Sequence, residues 1–157
     1  MTEDRARLAP TSRSLPFALI RAREVLLVPL RRMLADAGVS EPQWRILRVL
    51  IESGPMSGQE LARSACLQPA SVSRILQTMV ERGYVARVQD ASNRRRQVVS
   101  ICPAGQAIIE THARTSRQIT DTIAQRFGPD KYAQLLDLLE SFNRLAQPET
   151  ADQYLPD

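Results

Sequence analysis

The stretch of sequence that decides the fold runs from Ser57 to Ile101 and reads SGQELARSACLQPASVSRILQTMVERGYVARVQDASNRRRQVVSI. Ser57 is followed three residues later by Glu60, the spacing of a capping box, in which each side chain binds the backbone N–H of the other residue. This pattern predicts that a short helix begins directly after Ser57. The residues expected on its buried face are Leu61, Ala62 and Ala65.

A second helix is predicted from Pro69 to Arg82, after a tight turn that begins at Cys66. Proline is favoured in the first turn of a helix, and Gly83 is a typical residue to end one. The apolar residues at helical spacing, which we expect to face the core, are Val72, Ile75, Leu76, Met79 and Val80. The residues left pointing outward are Ala70, Ser71, Ser73, Arg74, Gln77 and Thr78.

Two short segments with strand-like alternation follow, Tyr84 to Gln89 and Gln97 to Ile101, and they predict a β-hairpin. Arg94, Arg95 and Arg96 are expected at its exposed tip, where they repel one another unless an anion neutralises them. A helix pair followed by an arginine-tipped hairpin is the layout of a winged helix-turn-helix. Such a unit reads DNA with its second helix and its wing.

The outward face of the second predicted helix suits the major groove of DNA. Its small hydroxyl side chains allow close approach, the helix N-terminus favours a phosphate, and Arg74 can reach a base or a phosphate. The alternatives are a solvated helix face and a solvated tip, but adjacent arginines favour a phosphate backbone or an electronegative minor groove. The candidate DNA-binding residues are Ser71, Ser73, Arg74, Gln77, Arg94, Arg95 and Arg96.

Composition narrows the class of protein. The 157 residues suffice for one compact unit, the net charge is +4, and every basic residue except Lys131 is arginine, which binds phosphate and guanine in a bidentate manner. The chain has neither an apolar run near the roughly 20 residues of a membrane span nor a signal peptide, so we expect a cytoplasmic protein without membrane contact. Cys66 and Cys102 lie far apart without zinc-type spacing, so no disulfide, metal or cofactor is expected.

Helical patterns precede the central stretch. Residues 1–13 are polar without periodicity and are expected to form a mobile arm. A first helix runs up to Gly38, with a kink expected because Pro29 lacks a backbone donor. Ser40 and Gln43 form another capping box and predict the start of the next helix. Its inward residues are expected to be Ile46, Leu47, Leu50 and Ile51.

Two more helices are predicted after the hairpin, one from Pro103 to Phe127 and a last one that carries Leu135, Leu138, Leu139, Phe142 and Leu145. These helices cannot pack fully on so small a reading unit, so they and the first helix are expected to form a homodimer interface. A two-fold dimer also matches half-sites about 10 base pairs apart. The expected fold is mostly α with a small β-hairpin wing (α+β), a winged helix-turn-helix with helical dimerisation arms. Its expected parts are a mobile arm (1–13), a helical dimerisation region (14–37 and 103–146), the winged helix-turn-helix (40–101) and a flexible tail (147–157).

From Ser14 to Leu145 the chain resembles the MarR family of dimeric winged-helix regulators. The resemblance rests on the motif from Asn93 to Arg95, on the strand from Val98 to Ile101 and on Gly105, which echo the family signature of the wing. It implies that Arg95 enters the minor groove. The residues that depart from the family pattern are Asn93, in place of an acidic residue, and Cys102, in place of a threonine.

Within that family the chain is most similar to regulators of homoprotocatechuate and 4-hydroxyphenylacetate catabolism. The runs that carry this similarity are Ala22 to Glu24, Gln43 to Arg48 and Ala65 to Cys66. The resemblance implies that a hydroxyphenyl carboxylate binds between the dimer helices and the reading unit. The residues that it places in contact with this ligand are Ser14, Trp44 and Arg48.

Helical spacing supports such a site, because Trp44 and Arg48 are one turn apart and an arginine beside an indole suits an aromatic acid. The residues on one side of the first helix that are also expected to bind the ligand are Arg23, Leu27, Leu30 and Leu34. The residues alone favour a core role for Trp44 and an exposed pair with Glu52 for Arg48, and the resemblance reverses that preference. Thr120 stands where that subgroup has a tyrosine at the phenol end of the ligand, so another aromatic carboxylate is an alternative.

The function expected is that of a dimeric repressor, released from a pseudo-palindromic operator by an aromatic carboxylic acid. One alternative is a thiol switch at Cys66, which we disfavour because the apolar neighbours Ala65 and Leu67 predict a buried thiol. Another is a non-specific architectural DNA-binding protein. An enzyme is disfavoured because the single histidine, His112, has no accompanying nucleophile, carboxylate pair or metal-binding set.

Overall fold

The computed structural model describes residues 10–93 and 95–146. In these residues the helices are α1 (Leu15–Asp36), α2 (Glu41–Ser53), α3 (Gly58–Ser64), α4 (Pro69–Glu81), α5 (Pro103–Phe127) and α6 (Pro129–Asn143), and the strands are β1 (Val85–Gln89) and β2 (Gln97–Ile101). Single 3-10 turns lie at Thr11–Arg13, within the predicted arm, and at Arg144–Ala146. This order confirms the predicted winged-helix fold. The rest of the predicted arm (1–9), Arg94 and the predicted tail (147–157) lie outside the described residues.

Capping boxes start α2 and α3, as predicted. At α2, the Ser40 hydroxyl accepts a hydrogen bond from the Gln43 N–H at 3.4 Å, and the Gln43 side-chain oxygen accepts one from the Ser40 N–H at 2.9 Å. At α3, the equivalent distances between Ser57 and Glu60 are 3.3 and 2.9 Å. Both helix starts are therefore stabilised by residues within one turn of each other.

Helix α1 continues through Pro29 as an α-helix of 22 residues, and a kink at this point stays a prediction. The helix ends at Asp36. Gly38 then adopts a φ of +66°, a left-handed conformation that glycine reaches without steric cost, and turns the chain into α2.

The hairpin is antiparallel, with Val85 opposite Ile101 in its register. Its second strand is also tied to the connection between α2 and α3, because Met56 and Val99 exchange backbone hydrogen bonds of 3.2 and 2.8 Å. A two-stranded hairpin by itself is marginally stable. The bridge to Met56 therefore holds the base of the wing against the helices.

Gly105, near the start of α5, lies directly against the chain where β1 begins. A Cβ at this position would overlap the carbonyl oxygen of Tyr84 and come within 2.9 Å of Leu47 Cδ2. The same carbonyl accepts a hydrogen bond of 2.9 Å from the Cys102 N–H. Only glycine fits without displacing backbone, so α5 begins in close contact with the core.

The core lies among α2, α3, α4 and the hairpin. We call these four elements together the reading head. Its largest fully buried side chains are Ile46, Leu47, Leu61, Met79 and Val85. The predictions that Ile51 and Val80 face inward were wrong, because their exposed fractions are 43% and 39%. Each follows a buried residue, Leu50 or Met79, and a helix turns by about 100° per residue, which carries the next side chain away from the core.

The contacts divide the chain into two compact units, one up to Arg117 and one from Gln118. In the first unit, α1 buries only Met33 and Leu34. In the second unit, α6 buries none of its residues. The boundaries predicted for the dimerisation region stay a prediction.

Candidate DNA-binding surface and ligand-binding residues

The turn between α3 and α4 is built around Cys66, whose φ is +52°. The N–H groups of Cys66 and Leu67 donate to the carbonyls of Arg63 at 3.1 Å and Ala62 at 2.8 Å. These are the two hydrogen bonds of a Schellman motif, which ends a helix on a left-handed residue. A residue other than glycine is strained in this conformation. The motif fixes where α4 can begin.

Cys66 is exposed, which contradicts the expectation of a buried thiol. Its neighbours do lie inward, since Ala65 is 2% exposed and Leu67 is half-buried. Cys66 differs from them because its left-handed backbone directs the side chain elsewhere. At this turn, the apolar neighbours of Cys66 in the sequence therefore did not predict its exposure correctly.

The outward face of α4 presents polar side chains. Ser71, Ser73, Arg74 and Gln77 are all exposed, and the Gln77 amide donates to Glu81 at 3.2 Å. Arg74 forms no ion pair with any residue that the structure describes. Helix α4, described along its full length, has no acidic residue in its first turn, so the positive end of its dipole is not neutralised locally. The face can accept a phosphate and present side chains to base edges.

The tip of the hairpin is held by hydrogen bonds from side chains to the backbone. Asp90 Oδ1 accepts from the hydroxyl and the N–H of Ser92 at 2.7 and 2.8 Å, and these bonds, with the charge of Arg96, hold the pKa of Asp90 below its usual value. Asn93 Oδ1 accepts from the N–H of Arg95 at 3.1 Å. Asn93 therefore fixes the backbone of Arg95 by an Asx turn, and the Arg95 side chain is exposed.

Arg96 differs from Arg95 because its guanidinium forms an ion pair with Glu60 of α3. Glu60 also accepts a hydrogen bond of 2.7 Å from the Ser57 hydroxyl. The Ser57 hydroxyl and then Arg96 are the main causes that lower the pKa of Glu60 to about 2. One of the adjacent arginines is thus neutralised within the chain, and the wing is tethered to α3. Sequence reasoning assigned Glu60 only to the capping box and missed this second contact.

A groove with a volume of about 290 Å³ separates α3 and α4 from the hairpin. Its polar lining residues are Gln59, Ser73, Arg87 and Gln97. Arg87 was not among the predicted DNA-binding residues. It lies two residues after the buried Val85, so both side chains lie on one side of β1, and this spacing was the available signal.

None of the predicted ligand-binding residues lines this groove. On α1, Leu27 and Leu30 are half-buried and Leu34 is 6% exposed, so α1 approaches the core near its C-terminal end. Ser14 is the half-buried N-cap of α1, without a capping bond from its side chain. Arg23 pairs with Glu41 of α2 at 3.0 Å, and its contact with a ligand stays a prediction.

The two predicted ligand-binding residues of α2 differ in exposure. Trp44 is 6% exposed, so its indole belongs largely to the core, and its contact with a ligand stays a prediction. Arg48, one turn later, is exposed and forms no ion pair with any described residue, Glu52 included. A guanidinium without a carboxylate partner can bind the carboxylate of a small acid in a bidentate manner.

Comparison with known proteins identifies the family. The MarR family matches residues 39–96. The homoprotocatechuate degradative operon repressor of Escherichia coli is 34% identical over 142 residues, which cover 88% of this chain and 94% of that protein. The chain belongs to the MarR family. A second relative, the HTH-type transcriptional regulator FarR of Neisseria gonorrhoeae, is 31% identical over 132 residues, which cover 84% of this MarR-family chain and 90% of FarR.

Solved structures agree with this assignment. The crystal structure of NadR in complex with 4-hydroxyphenylacetate matches with a TM-score of 0.75 at 30% identity, and the match covers 85% of this MarR-family chain and 97% of NadR. The chain is therefore a winged helix-turn-helix transcriptional regulator, a class of DNA-binding proteins rather than enzymes.

Other kinds of site find no support in the described residues. None of their helices is both long and apolar enough to cross a membrane. The same residues contain no group of three or more His, Cys, Asp or Glu side chains placed to hold a metal ion. His112 Nδ1 lies 2.9 Å from the carbonyl oxygen of Ile108, one turn earlier in α5.

Proposed function

We propose that this MarR-family chain represses transcription by binding a pseudo-palindromic operator as a homodimer, and that a small aromatic carboxylic acid such as a hydroxyphenylacetate releases it. The observation that carries the proposal is the groove between α4 and the hairpin, which Ser73 and Arg87 line. Arg74 and Arg95 are exposed on the same two parts of the fold. Such a surface binds the phosphate backbone while α4 reaches base edges. We propose a cytoplasmic location as well, since the protein must reach DNA to act on it.

The exposed apolar side chains of the flanking helices support a homodimer. On α1, Ile20, Val25 and Val28 are 63%, 60% and 58% exposed. On α6, Leu136 and Leu138 are 51% and 61% exposed. Clusters of exposed apolar residues mark interaction surfaces, and a two-fold dimer is the usual solution. Two copies of α4 would then meet half-sites about 10 base pairs apart.

Arg48 lies one turn after Trp44 and forms no ion pair within the described part of the chain, which supports an aromatic acid as the effector. The E. coli relative is named for homoprotocatechuate degradation, and NadR binds 4-hydroxyphenylacetate, which favours a hydroxyphenyl acid here. A ligand shifts an equilibrium only by its different affinities for two states. The acid must therefore bind more tightly to the form that does not bind the operator.

The experiment that tests this function is fluorescence anisotropy with the DNA upstream of the gene itself, with and without a panel of hydroxyphenylacetates, hydroxybenzoates and cinnamates. A random duplex is titrated alongside in a salt series. We expect a preference for the upstream DNA at every salt concentration, and release by one acid. Steep salt dependence without sequence preference would instead indicate an architectural DNA-binding protein.

Two variants separate the pocket from the wing. We expect Arg48→Ala to lose the response to the acid and keep operator binding. Arg95→Ala is expected to lose about 1 to 3 kcal/mol of operator binding and keep acid binding. Arg31→Ala, which removes an exposed arginine of α1, is the control and is expected to change neither. Equal loss of operator binding in both test variants would refute the division of roles.

The exposed thiol of Cys66 favours one second candidate, a regulator released by oxidation. Peroxide would convert the thiol to a sulfenic acid with release of water, and the bulkier group would disturb the turn before α4. Operator binding is measured before and after peroxide in the wild type and in Cys66→Ser. Loss in the wild type alone would support this candidate, and binding that peroxide leaves unchanged would dispose of it.

A further inference from the structure

Arg45 of α2 binds the turn that precedes α4. Its Nη1 donates to the carbonyl oxygens of both Ala65 and Cys66, each at 2.9 Å. Carbonyls at the end of a helix lack partners within the helix and carry the negative end of its dipole. A guanidinium is well suited to them because it offers several donors in one plane. Arg45 thus holds the strained turn from outside α3.

The other side of the Arg45 guanidinium meets Glu41, at the start of α2. Arg45 Nε lies 3.0 Å from Glu41 Oε1, and Arg45 Nη2 lies 3.4 Å from Glu41 Oε2. Glu41 Oε2 also accepts a hydrogen bond of 3.0 Å from Arg23 Nη2, on α1. The Glu41 carboxylate therefore contacts both Arg23, on α1, and Arg45, which binds the turn before α4.

Side-chain exposure distinguishes this set from an ordinary surface ion pair. The side chains of Glu41 and Arg45 are 23% and 31% exposed. In the pair between Glu24 and Arg31, both on α1, the exposed fractions are 45% and 60%. Partly buried pairs are screened less by salt than exposed ones. The contact between Glu41 and Arg45 is therefore screened less than an exposed pair, whereas Arg23, on α1, is 55% exposed.

A simple stabilising pair within α2 does not account for the geometry. Glu41 and Arg45 have the spacing of such a pair, one helical turn. However, the pair alone requires neither Arg23 nor two carbonyls that lie 20 and 21 residues later in the chain. The arrangement spans three separate parts of the fold, α1, α2 and the turn before α4.

We propose that Glu41 and Arg45 are positioning residues that transmit the position of α1 to the start of α4. The inference rests on the proposed function, in which an acid that binds beside α1 releases the operator. When α1 moves, Arg23 moves with it and changes the position of Glu41. Arg45 then shifts against the two carbonyls, and α4, which begins at Pro69, changes its orientation to DNA.

The test uses the full chain with Glu41→Gln, which keeps the size of the side chain and removes its charge. Glu24→Gln is the matched control, since it also removes a carboxylate that pairs with an arginine of α1. The quantity measured is the ratio of operator dissociation constants with and without 4-hydroxyphenylacetate. We expect Glu41→Gln to reduce that ratio at least about fivefold, while Glu24→Gln leaves it unchanged. Where the acid releases the wild type, an unchanged ratio in Glu41→Gln would overturn the proposal.

Amide hydrogen exchange, measured without acid or DNA, tests the connection independently of the proposed effector. We expect faster exchange of the Cys66 and Leu67 amides in Glu41→Gln, and in Arg45→Lys, which keeps a charge but loses the planar fork. Glu24→Gln is expected to exchange like the wild type. If no acid releases wild-type protein from DNA, the proposed function fails, and exchange still decides this inference. Unaltered exchange at the turn in both variants would contradict it.

Discussion

The reading head differs from α1 and α6, the helices before and after it in the sequence, in how many apolar side chains a single chain buries. In the reading head, Ile46, Leu47 and Leu61 are 0% exposed. In α6, Leu138 is 61% exposed, and the structure describes no buried residue in this helix. The reading head therefore has a hydrophobic core that is buried within the single chain. The flanking helices present apolar faces whose burial requires another surface, which we propose is a second copy.

This contrast in burial bears on how the protein recognises DNA and how it responds to a signal. A closed core holds the side chains of α4 in one arrangement, because close-packed interiors resist small displacements. Helices whose apolar faces meet a second chain can change position without opening that core. We therefore propose that recognition of DNA depends on the reading head, and that the response to an acid depends on the helices that a second copy completes.

The largest expected effect compares a buried with an exposed apolar position of α2. Leu47→Ala leaves a cavity in the reading head and is expected to lower the free energy of unfolding by about 2–5 kcal/mol. Ile51→Ala, one turn later at a 43% exposed position, is expected to cost less than about 1 kcal/mol. Urea unfolding at one protein concentration measures both. Similar losses of unfolding free energy in the two variants would contradict the assignment of Leu47 to the core and of Ile51 to the surface.

The second effect concerns the exposed apolar side chains of α6. Leu138→Glu places a charge on the exposed apolar face of α6, and we expect it to weaken the dimer by about 1–3 kcal/mol without unfolding the reading head. Gln134→Glu adds the same charge at an exposed polar position of α6 and is the matched control. Analytical ultracentrifugation over a range of concentrations measures the monomer fraction. A wild type that stays monomeric throughout would show that α6 is not completed by a second copy.

A smaller effect distinguishes two neighbouring arginines of the wing. Arg95→Gln is expected to reduce the slope of log affinity against log salt by about 1, because an exposed arginine on phosphate releases counterions. Arg96→Gln is expected to leave that slope unchanged, since Glu60 already neutralises this guanidinium. Operator titrations at several salt concentrations measure both slopes. An equal decrease would mean that Arg96 leaves Glu60 to bind DNA.

The smallest effect is the pH dependence of the tether between Glu60 and Arg96. The Ser57 hydroxyl and then Arg96 lower the pKa of Glu60 from 4.5 to about 2, so its charge stabilises the fold fully above pH 4.5 and loses that effect as the pH falls toward 2. Glu60→Gln retains a side chain that can cap α3 but removes the charge. The difference in unfolding free energy between wild type and variant is therefore expected to shrink below pH 4.5. A constant difference from about pH 6 to pH 3 would argue against the tether.

Local signals explain why most of the fold could be predicted from the sequence. The starts of α2 and α3 follow from the capping boxes at Ser40 and Ser57, whose partners lie three residues away. The hairpin follows from alternating residues, and α4 from the proline that begins it. Each of these features depends on interactions within a few residues, which is the range over which sequence patterns are informative.

The features that were missed depend on residues far apart in the chain. Arg45 meets carbonyls 20 and 21 residues later, and Glu60 meets Arg96 36 residues later. The exposure of Cys66 depends on its φ, which no neighbouring side chain reveals. On the candidate site, the exposed positions of α4 agree with the predicted reading face, whereas the roles of Trp44 and Arg48 in binding an acid stay predictions.

The left-handed backbone of Cys66 also matters to anyone who wishes to make this protein more heat-resistant. Glycine adopts a φ of +52° freely, whereas a residue with a Cβ loses about 1 kcal/mol there. Cys66→Gly is therefore the simplest stabilising replacement in the turn. The chain retains its thiol at a position where thermostability alone would select glycine, and an engineered variant would exchange that thiol for a higher melting temperature.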